Sequence, residues 1–134
     1  MRATVFDSYA VLALLFDEPG QDIVKEQLDE ASQGNREIFI TTVNWAEAGY
    51  RITRENGAAD WHASRQALLA LPIQIVPADL ALAELAAEFK AGHKMSLADA
   101  FAAALAKQHK ADLVTADPEF KSVESELKKI TWLT

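Results

Sequence analysis

The chain has 134 residues, of which 50% are hydrophobic and 25% charged, and its formal net charge is −7. This length predicts one domain, residues 1–134. The negative net charge argues against a protein that binds nucleic acid through a broad basic surface. The lack of cysteine excludes disulfides and thiolate metal sites, and no apolar run approaches the roughly 20 residues of a membrane span. With no signal-peptide pattern at the start, we expect a cytoplasmic protein without membrane contacts.

Short β-like runs alternate along the chain with longer amphipathic stretches. The predicted strands are 3–6, 37–42, 73–76, 112–115 and, at an edge, 130–133. The predicted helices are 8–16, 19–32, 43–55, 58–71, 79–91 and 96–109, and Pro118 predicts that no helix follows Asp117 directly. This alternation predicts a three-layer α/β/α fold with a mostly parallel four- to five-stranded sheet, in which ligands bind beyond the carboxyl ends of the strands.

Four acidic side chains fall at that edge of the predicted sheet. Asp7 directly follows the first strand and Asp117 follows the fourth by two residues. Glu47 lies near the start of the helix after the second strand, and Asp99 lies in the first turn of the helix before the fourth. Carboxylates gathered without basic partners repel one another, so a divalent cation best explains the cluster. Oxygen ligands alone suit Mg²⁺, or Mn²⁺, better than zinc.

Each acid also has an ordinary structural interpretation. Asp7 could cap the helix that follows it, and Asp117 before Pro118 could form a turn. Glu47 could pair with Arg51 one helical turn further on. Four acids at one edge are less readily explained by four separate structural roles than a single acid would be. This favours a functional cluster.

Asp99 has the strongest structural alternative, because with Ser96 it completes a capping box. On the same helix, the predicted core stripe consists of Leu97, Phe101 and Leu105. Asp99 shares the other side with small residues, which would let the helix lie close to a neighbour.

Three segments resemble PIN-domain nucleases, above all the VapC-type toxins of bacterial toxin–antitoxin pairs: "TVFDSYAVLALL", "ITTVNWAEAGYRI" and "MSLADAFAAALAKQHKADLVTADPEF". The resemblance runs over essentially the whole chain, is most specific over 96–120, and rests on pattern alone over about 55–95. It implies a Mg²⁺-dependent endoribonuclease that acts as the toxin of a type II toxin–antitoxin system. It also implies a cognate antitoxin with a basic tail and a homodimer, alone or within a larger toxin–antitoxin complex.

The resemblance also implies roles for particular residues. The family's catalytic acids correspond to Asp7, Glu47, Asp99 and Asp117, and we expect all but Glu47 to bind one or two metal ions directly. Thr115 corresponds to a hydroxyl of secondary importance. The basic side chains considered for RNA contact are Arg51, Arg54 and Lys94, with Lys90 and His93 as further candidates. The segment "VNWAEAGYRI" departs from the aliphatic and arginine-rich surroundings of many relatives, which affects substrate preference more than catalysis.

Two other classes of protein are alternatives to this interpretation. A phosphatase with an aspartyl nucleophile needs a second Asp two residues after the first, where this chain has Tyr9. The remaining alternative is a non-enzymatic module, either a phospho-acceptor or a protein-binding domain with a degenerate acidic site. A degenerate nuclease should have lost one of the acids, and all four are present.

Overall fold

A computed structural model describes residues 1–134 and contains one parallel five-stranded sheet. Its strands are β1 (Arg2–Phe6), β2 (Arg36–Thr41), β3 (Gln74–Val76), β4 (Asp112–Thr115) and β5 (Lys129–Trp132), in the spatial order β3-β2-β1-β4-β5. The α-helices are α1 (Ser8–Leu15), α2 (Gln21–Ser32), α3 (Thr42–Asn56), α4 (Ala58–Leu69), α5 (Leu80–Gly92) and α6 (Leu97–His109). A 3-10 helix (Pro118–Glu126) separates the last two strands. The predicted three-layer α/β/α fold with a parallel sheet is confirmed.

The two faces of the sheet are covered by different helices because strand side chains alternate in direction. Val5 and Leu113 point into a core formed with α5, α6 and the 3-10 helix. Phe6 and Val114, one residue further on, point into a second core formed with α1 and α2. The central strands are therefore buried on both faces, as parallel strands usually are.

The chain order reverses at β1, which decides where a ligand can bind. From β1 the chain moves outward to β2 and β3, then returns to the other side of β1 to form β4 and β5. The backbone N–H of Asp7 donates to the carbonyl of Val114 at 3.5 Å, so the ends of β1 and β4 lie side by side. Ligands of open parallel sheets bind beyond such a switch point.

The opposite edge of the sheet, at the amino-terminal ends of the strands, is held by ion pairs. Arg2 Nη2 lies 2.7 Å from Asp112 Oδ2, which joins the starts of β1 and β4. Arg36, at the start of β2, is buried; its Nη2 lies 2.8 Å from Glu30 Oε2, and its Nη1 donates to Thr4 Oγ1 at 2.6 Å. Each buried charge at this edge has a partner of opposite sign.

Three sequence-based expectations about local structure were wrong. Thr42 begins α3 rather than ending β2, because Thr41 Oγ1 caps the helix by accepting from Asn44 N at 2.9 Å. A 3-10 helix starts directly at Pro118, since proline fits the first position of a helix, where its missing N–H has no partner to lose.

The third error concerns the core stripe of α6. Leu97 is 55% exposed and Phe101 is only partly buried, whereas Leu105 is fully buried as predicted. The buried face of α6 consists mainly of alanines, at positions 100, 102, 103, 104 and 106, because this helix packs against α3, α5, the 3-10 helix and the strands β1, β2 and β4 at once. Small side chains allow that close approach. None of the helices combines the length and the apolar character that a membrane crossing requires.

Candidate metal centre

Asp7 lies at the end of the central strand and is 1% exposed. It is the N-cap of α1: its Oδ1 accepts from Ala10 N at 3.0 Å, so the predicted capping role is present. Its Oδ2 accepts a hydrogen bond from Thr115 Oγ1 at 2.5 Å. Burial raises the pKa of Asp7 to about 7, against the lowering effect of these two hydrogen bonds, and the negative charges of Glu47 and Asp117 contribute to the rise. Asp7 therefore caps α1 through one oxygen and accepts from Thr115 through the other.

Glu47 reaches the same place from α3. Its Oε1 accepts a short hydrogen bond from the hydroxyl of Ser8, the buried residue that follows Asp7. The surface ion pair with Arg51 considered from the sequence is absent. Instead, the Arg51 guanidinium lies 5.9 Å from the centre of the Tyr9 ring. Glu47 is therefore directed toward Asp7 rather than along its own helix.

Asp99 enters the site from the first turn of α6. Ser96 Oγ accepts from Asp99 N at 3.1 Å, so the helix is capped by the serine and the aspartate side chain is free for another use. Asp99 is 6% exposed, and its Oδ2 is buried without any hydrogen-bond partner. Burial, then contact with Asp117, then the negative charge of Asp7 raise the pKa of Asp99 to about 8. A buried acceptor left without a donor is uncommon and costly.

Asp117 follows β4 and borders the site on its solvent side. Its N–H donates to Thr115 Oγ1 at 3.0 Å, and its Oδ1 accepts from Glu119 N at 2.9 Å. Thr115 thus bonds to Asp7 and to Asp117, which ties the ends of β1 and β4 together. Carboxylate oxygens of Asp99, Asp117 and Glu119 all lie within 4.8 Å of one another.

The structure therefore brings all four predicted acids to one edge of the sheet, and none of them has a basic partner. The ion pairs of the structure join Arg2 to Asp112, Arg36 to Glu30 and His93 to Glu126. Burial raises the pKa values of Asp7 and Asp99 most, and the neighbouring acids raise them further.

The sequence model of the PIN domain family matches residues 4–126. The chain belongs to the PIN domain family. This match covers both ends of the acidic cluster, from Asp7 to Asp117, so the resemblance to PIN domains noted in the sequence is confirmed. No protein in the curated collection of sequences matches the chain.

Solved structures of toxin–antitoxin proteins share this PIN fold. The VapBC2 complex of Rickettsia felis, bound to a DNA fragment from its promoter, matches with a TM-score of 0.78 at 17% identity, over 98% of this chain and 99% of that one. DNA-bound VapBC of Salmonella typhimurium matches with a TM-score of 0.76 at 15% identity, over the full length of both chains. VapC20 of Mycobacterium tuberculosis, a toxin that cleaves the sarcin-ricin loop, matches with a TM-score of 0.72 at 15% identity, over 90% and 94%.

The acids of this PIN domain fit a divalent cation by the chemistry of their atoms. All donors are carboxylate oxygens, the set that Mg²⁺ and Mn²⁺ prefer. Asp99 Oδ2 is a buried acceptor that no protein donor satisfies, and the neighbouring charges all have the same sign. A cation would remove both penalties.

The basic residues considered for RNA contact are spread over two parts of the surface. Arg51 and Arg54 lie on α3, and the Arg54 guanidinium is 5.3 Å from the centre of the Tyr50 ring. Lys94 is exposed in the loop between α5 and α6, two residues before the capping Ser96. None of these three side chains forms an ion pair with the acids, and their role stays a prediction.

Sequence reasoning missed two residues of the site, Ser8 and Glu119. Each stands next to or near a recognised acid, so their sequence positions were available. Only the structure shows that Ser8 donates to Glu47 and that the 3-10 helix places Glu119 beside Asp99. Glu119 was missed because no helix was expected directly after Asp117.

Proposed function

We propose that this chain is a Mg²⁺-dependent endoribonuclease that hydrolyses RNA phosphodiester bonds and acts as the toxin of a type II toxin–antitoxin system. The observation that carries the proposal is the buried, unpartnered carboxylate oxygen of Asp99 within a cluster of acids. Membership of the PIN domain family and the fold shared with VapC20, a toxin that cleaves the sarcin-ricin loop, support the choice of reaction.

In this proposal Asp7, Asp99 and Asp117 hold Mg²⁺, with Mn²⁺ as a substitute, and Glu47 completes the catalytic set. When bound, the cation lowers the pKa of water and stabilises negative charge on the phosphate oxygens. The protein itself holds the catalytic carboxylates in a fixed orientation. Thr115 fixes one oxygen of Asp7 and Ser8 fixes one oxygen of Glu47, so these carboxylates are held in place before substrate arrives.

The RNA backbone would approach the site along the basic side chains on its rim. Arg51 and Arg54 follow Glu47 on α3, and Lys94 lies just before the helix that carries Asp99. These three basic side chains would attract the RNA backbone locally, on a protein whose net charge of −7 argues against a broad basic surface. Sequence preference would then come from the geometry around the cut rather than from overall affinity.

A protein partner is also part of the proposal. The similar structures from Rickettsia felis and Salmonella typhimurium are complexes of a toxin with its antitoxin, which supports an antitoxin for this chain. The net charge of −7 favours a partner with a basic tail. We further propose that residues 1–134 act as one domain in a cytoplasmic homodimer, alone or within the toxin–antitoxin assembly.

Cleavage of labelled RNA by antitoxin-free protein tests the proposal. The protein is incubated with end-labelled transfer, ribosomal and messenger RNA in Mg²⁺, in Mn²⁺ or in EDTA, beside an Asp99→Asn variant purified in the same way. We expect discrete cuts that require a divalent cation and vanish in the variant. Cleavage that persists in EDTA, or a folded wild-type protein that cuts no RNA in a broad panel, would contradict it and would favour a non-enzymatic module.

A further inference from the structure

We propose that Asn44 is a positioning residue that sets the distance between the helix carrying Glu47 and the helix carrying Asp99. The proposal rests on the proposed function, since it concerns how the catalytic acids are held. Asn44 lies on α3, one helical turn before Glu47, and it is fully buried. It brings no charge to the site, so its effect would be exerted through its neighbours.

The side-chain amide of Asn44 joins α3 to the first turn of α6. Asn44 Nδ2 donates to the backbone carbonyl of Ala98 at 3.1 Å, and Ala98 directly precedes Asp99. No other hydrogen bond and no ion pair connects these two helices. This bond therefore fixes the start of α6 against α3, close in sequence to both acids.

The orientation of this amide is itself fixed by the end of β2. Thr41 Oγ1 donates to Asn44 Oδ1 at 2.6 Å and accepts from Asn44 N at 2.9 Å. Because the amide oxygen accepts from Thr41, the amide nitrogen is directed toward Ala98. Thr41 and Asn44 are both fully buried, so water does not compete for these bonds. One chain of hydrogen bonds thus runs from the sheet through α3 to α6.

The two acids differ in how firmly the protein holds them by other contacts. Glu47 accepts from Ser8 and is thereby tied to the end of β1. Asp99 Oδ2 accepts no hydrogen bond, so the position of this carboxylate depends on the placement of its helix. Loss of the bond at Ala98 would let the first turn of α6 shift, and a misplacement of about 1 Å can cost roughly 100-fold in rate.

A buried amide could also serve the fold alone, and Gln21 provides a matched control for that alternative. Gln21 Nε2 donates to the backbone carbonyl of Leu14 at 2.8 Å, so it forms the same kind of bond between α2 and α1. Leu14 lies in the last turn of α1, at the other end of that helix from Asp7. Asn44→Leu and Gln21→Met each replace an amide by an apolar group of similar size.

Cleavage kinetics and Mn²⁺ binding by the full chain test the inference. The values of kcat and KM are measured at saturating Mg²⁺ on one RNA that the wild type cuts. Mn²⁺ affinity is measured by isothermal titration calorimetry, and the folded fraction of each variant by urea titration. We expect Asn44→Leu to lower kcat and Mn²⁺ affinity about tenfold each and to change KM less than about twofold, as for groups that support metal ligands. Gln21→Met should leave all three nearly unchanged.

The outcomes separate the inference from the proposed function. If folded Asn44→Leu keeps the kcat and Mn²⁺ affinity of Gln21→Met, the positioning role is refuted while the proposed function stands. If the wild type neither binds Mn²⁺ nor cuts RNA, both proposals fail. Asn44→Ala removes the same amide without adding bulk, and it takes the place of Asn44→Leu if that variant does not fold. Failure of both variants to fold would overturn the inference, because it would assign the amide to the stability of the fold.

Discussion

The two edges of the sheet treat buried charge in opposite ways. At the amino-terminal edge, Asp112 pairs with Arg2, and Arg36 pairs with Glu30. At the carboxyl edge, Asp7 and Asp99 are equally buried and have no basic partner. The same residue type in the same sheet is therefore neutralised at one edge and left to repel its neighbours at the other.

This difference teaches where the fold is stabilised and where it is prepared for function. A buried ion pair whose partners are both present satisfies its own charges and links strands. A buried carboxylate without a counter-ion destabilises the folded state unless it is protonated or binds a cation. The unpartnered acids at the carboxyl edge therefore lower stability, and the proposed cation site would explain why they are there. Substitutions at each edge can test this explanation.

The largest expected effect is on cleavage and is confined to the carboxyl edge. Asp99→Asn should lower the rate of RNA cleavage by at least about 100-fold, because even residues that only support metal ligands cost roughly 10–100-fold when lost. Asp112→Asn removes an equally buried acid from the opposite edge and should leave the cleavage rate of folded protein unchanged. Rates are measured on one RNA at saturating Mg²⁺. Similar losses of cleavage rate in both variants would show that the loss follows from replacing any buried acid rather than from the site at the carboxyl edge.

The next effect concerns stability and pH in the absence of metal. The pKa values of Asp7 and Asp99 are raised from 3.8 to about 7 and about 8, so the folded state keeps protons that the unfolded state releases. The free energy of unfolding should therefore fall as pH rises from about 4 to about 8, by up to a few kcal/mol. Asp99→Asn should be more stable than the wild type at pH 8, and this advantage should vanish near pH 4.

Urea titrations in EDTA across this pH range measure the difference between the two proteins. That difference reports Asp99 and its interactions with Asp7 and Asp117, because acids remote from the site titrate equally in both proteins. Mg²⁺ should stabilise the wild type at pH 8 and not the variant, since a ligand of the folded state shifts the unfolding equilibrium. A variant that is less stable than the wild type at pH 8 without metal would show that Asp99 has a stabilising partner.

The smallest of these effects lies at the amino-terminal edge. Arg36→Met keeps most of the buried volume but leaves Thr4 Oγ1 and Glu30 without their donor, and should lower the free energy of unfolding by about 1–3 kcal/mol. Lys25→Met removes an exposed charge from α2 and should change it by less than about 0.5 kcal/mol. The cleavage rate of folded Arg36→Met should match that of the wild type. A metal-dependent loss of activity in this variant would break the separation of the two edges.

The sequence predicted the strands and the position of the four acids at one edge of the sheet, because both follow local rules. Alternating apolar runs and helical stretches determine a parallel sheet, and a parallel sheet places Asp7 and Asp117 at one edge. The errors arose where contacts between helices and strands, rather than the local sequence, determine which side chains are buried. The alanine face of α6 reflects contacts with α3, α5 and three strands, and Leu97 could not be recognised as exposed from its own segment.

The contacts that complete the site were also beyond local patterns. Ser8 and Glu47 are 39 positions apart, and Thr115 and Asp7 are 108 apart, so neither hydrogen bond follows from spacing. The position of Glu119 depends on a 3-10 helix that the proline seemed to exclude. Residue types at the site could be read from the sequence, whereas their partners required the fold.

The central claim is that the unpartnered acids at the carboxyl edge bind a divalent cation. Crystals of the antitoxin-free protein soaked in MnCl₂ test it most directly, through an anomalous difference map collected at the manganese edge. We predict a peak within about 2.5 Å of a carboxylate oxygen of Asp99, bordered by Asp117, and no such peak in Asp99→Asn crystals. A wild-type map with no manganese among these acids, in crystals that bind it elsewhere, would contradict the account.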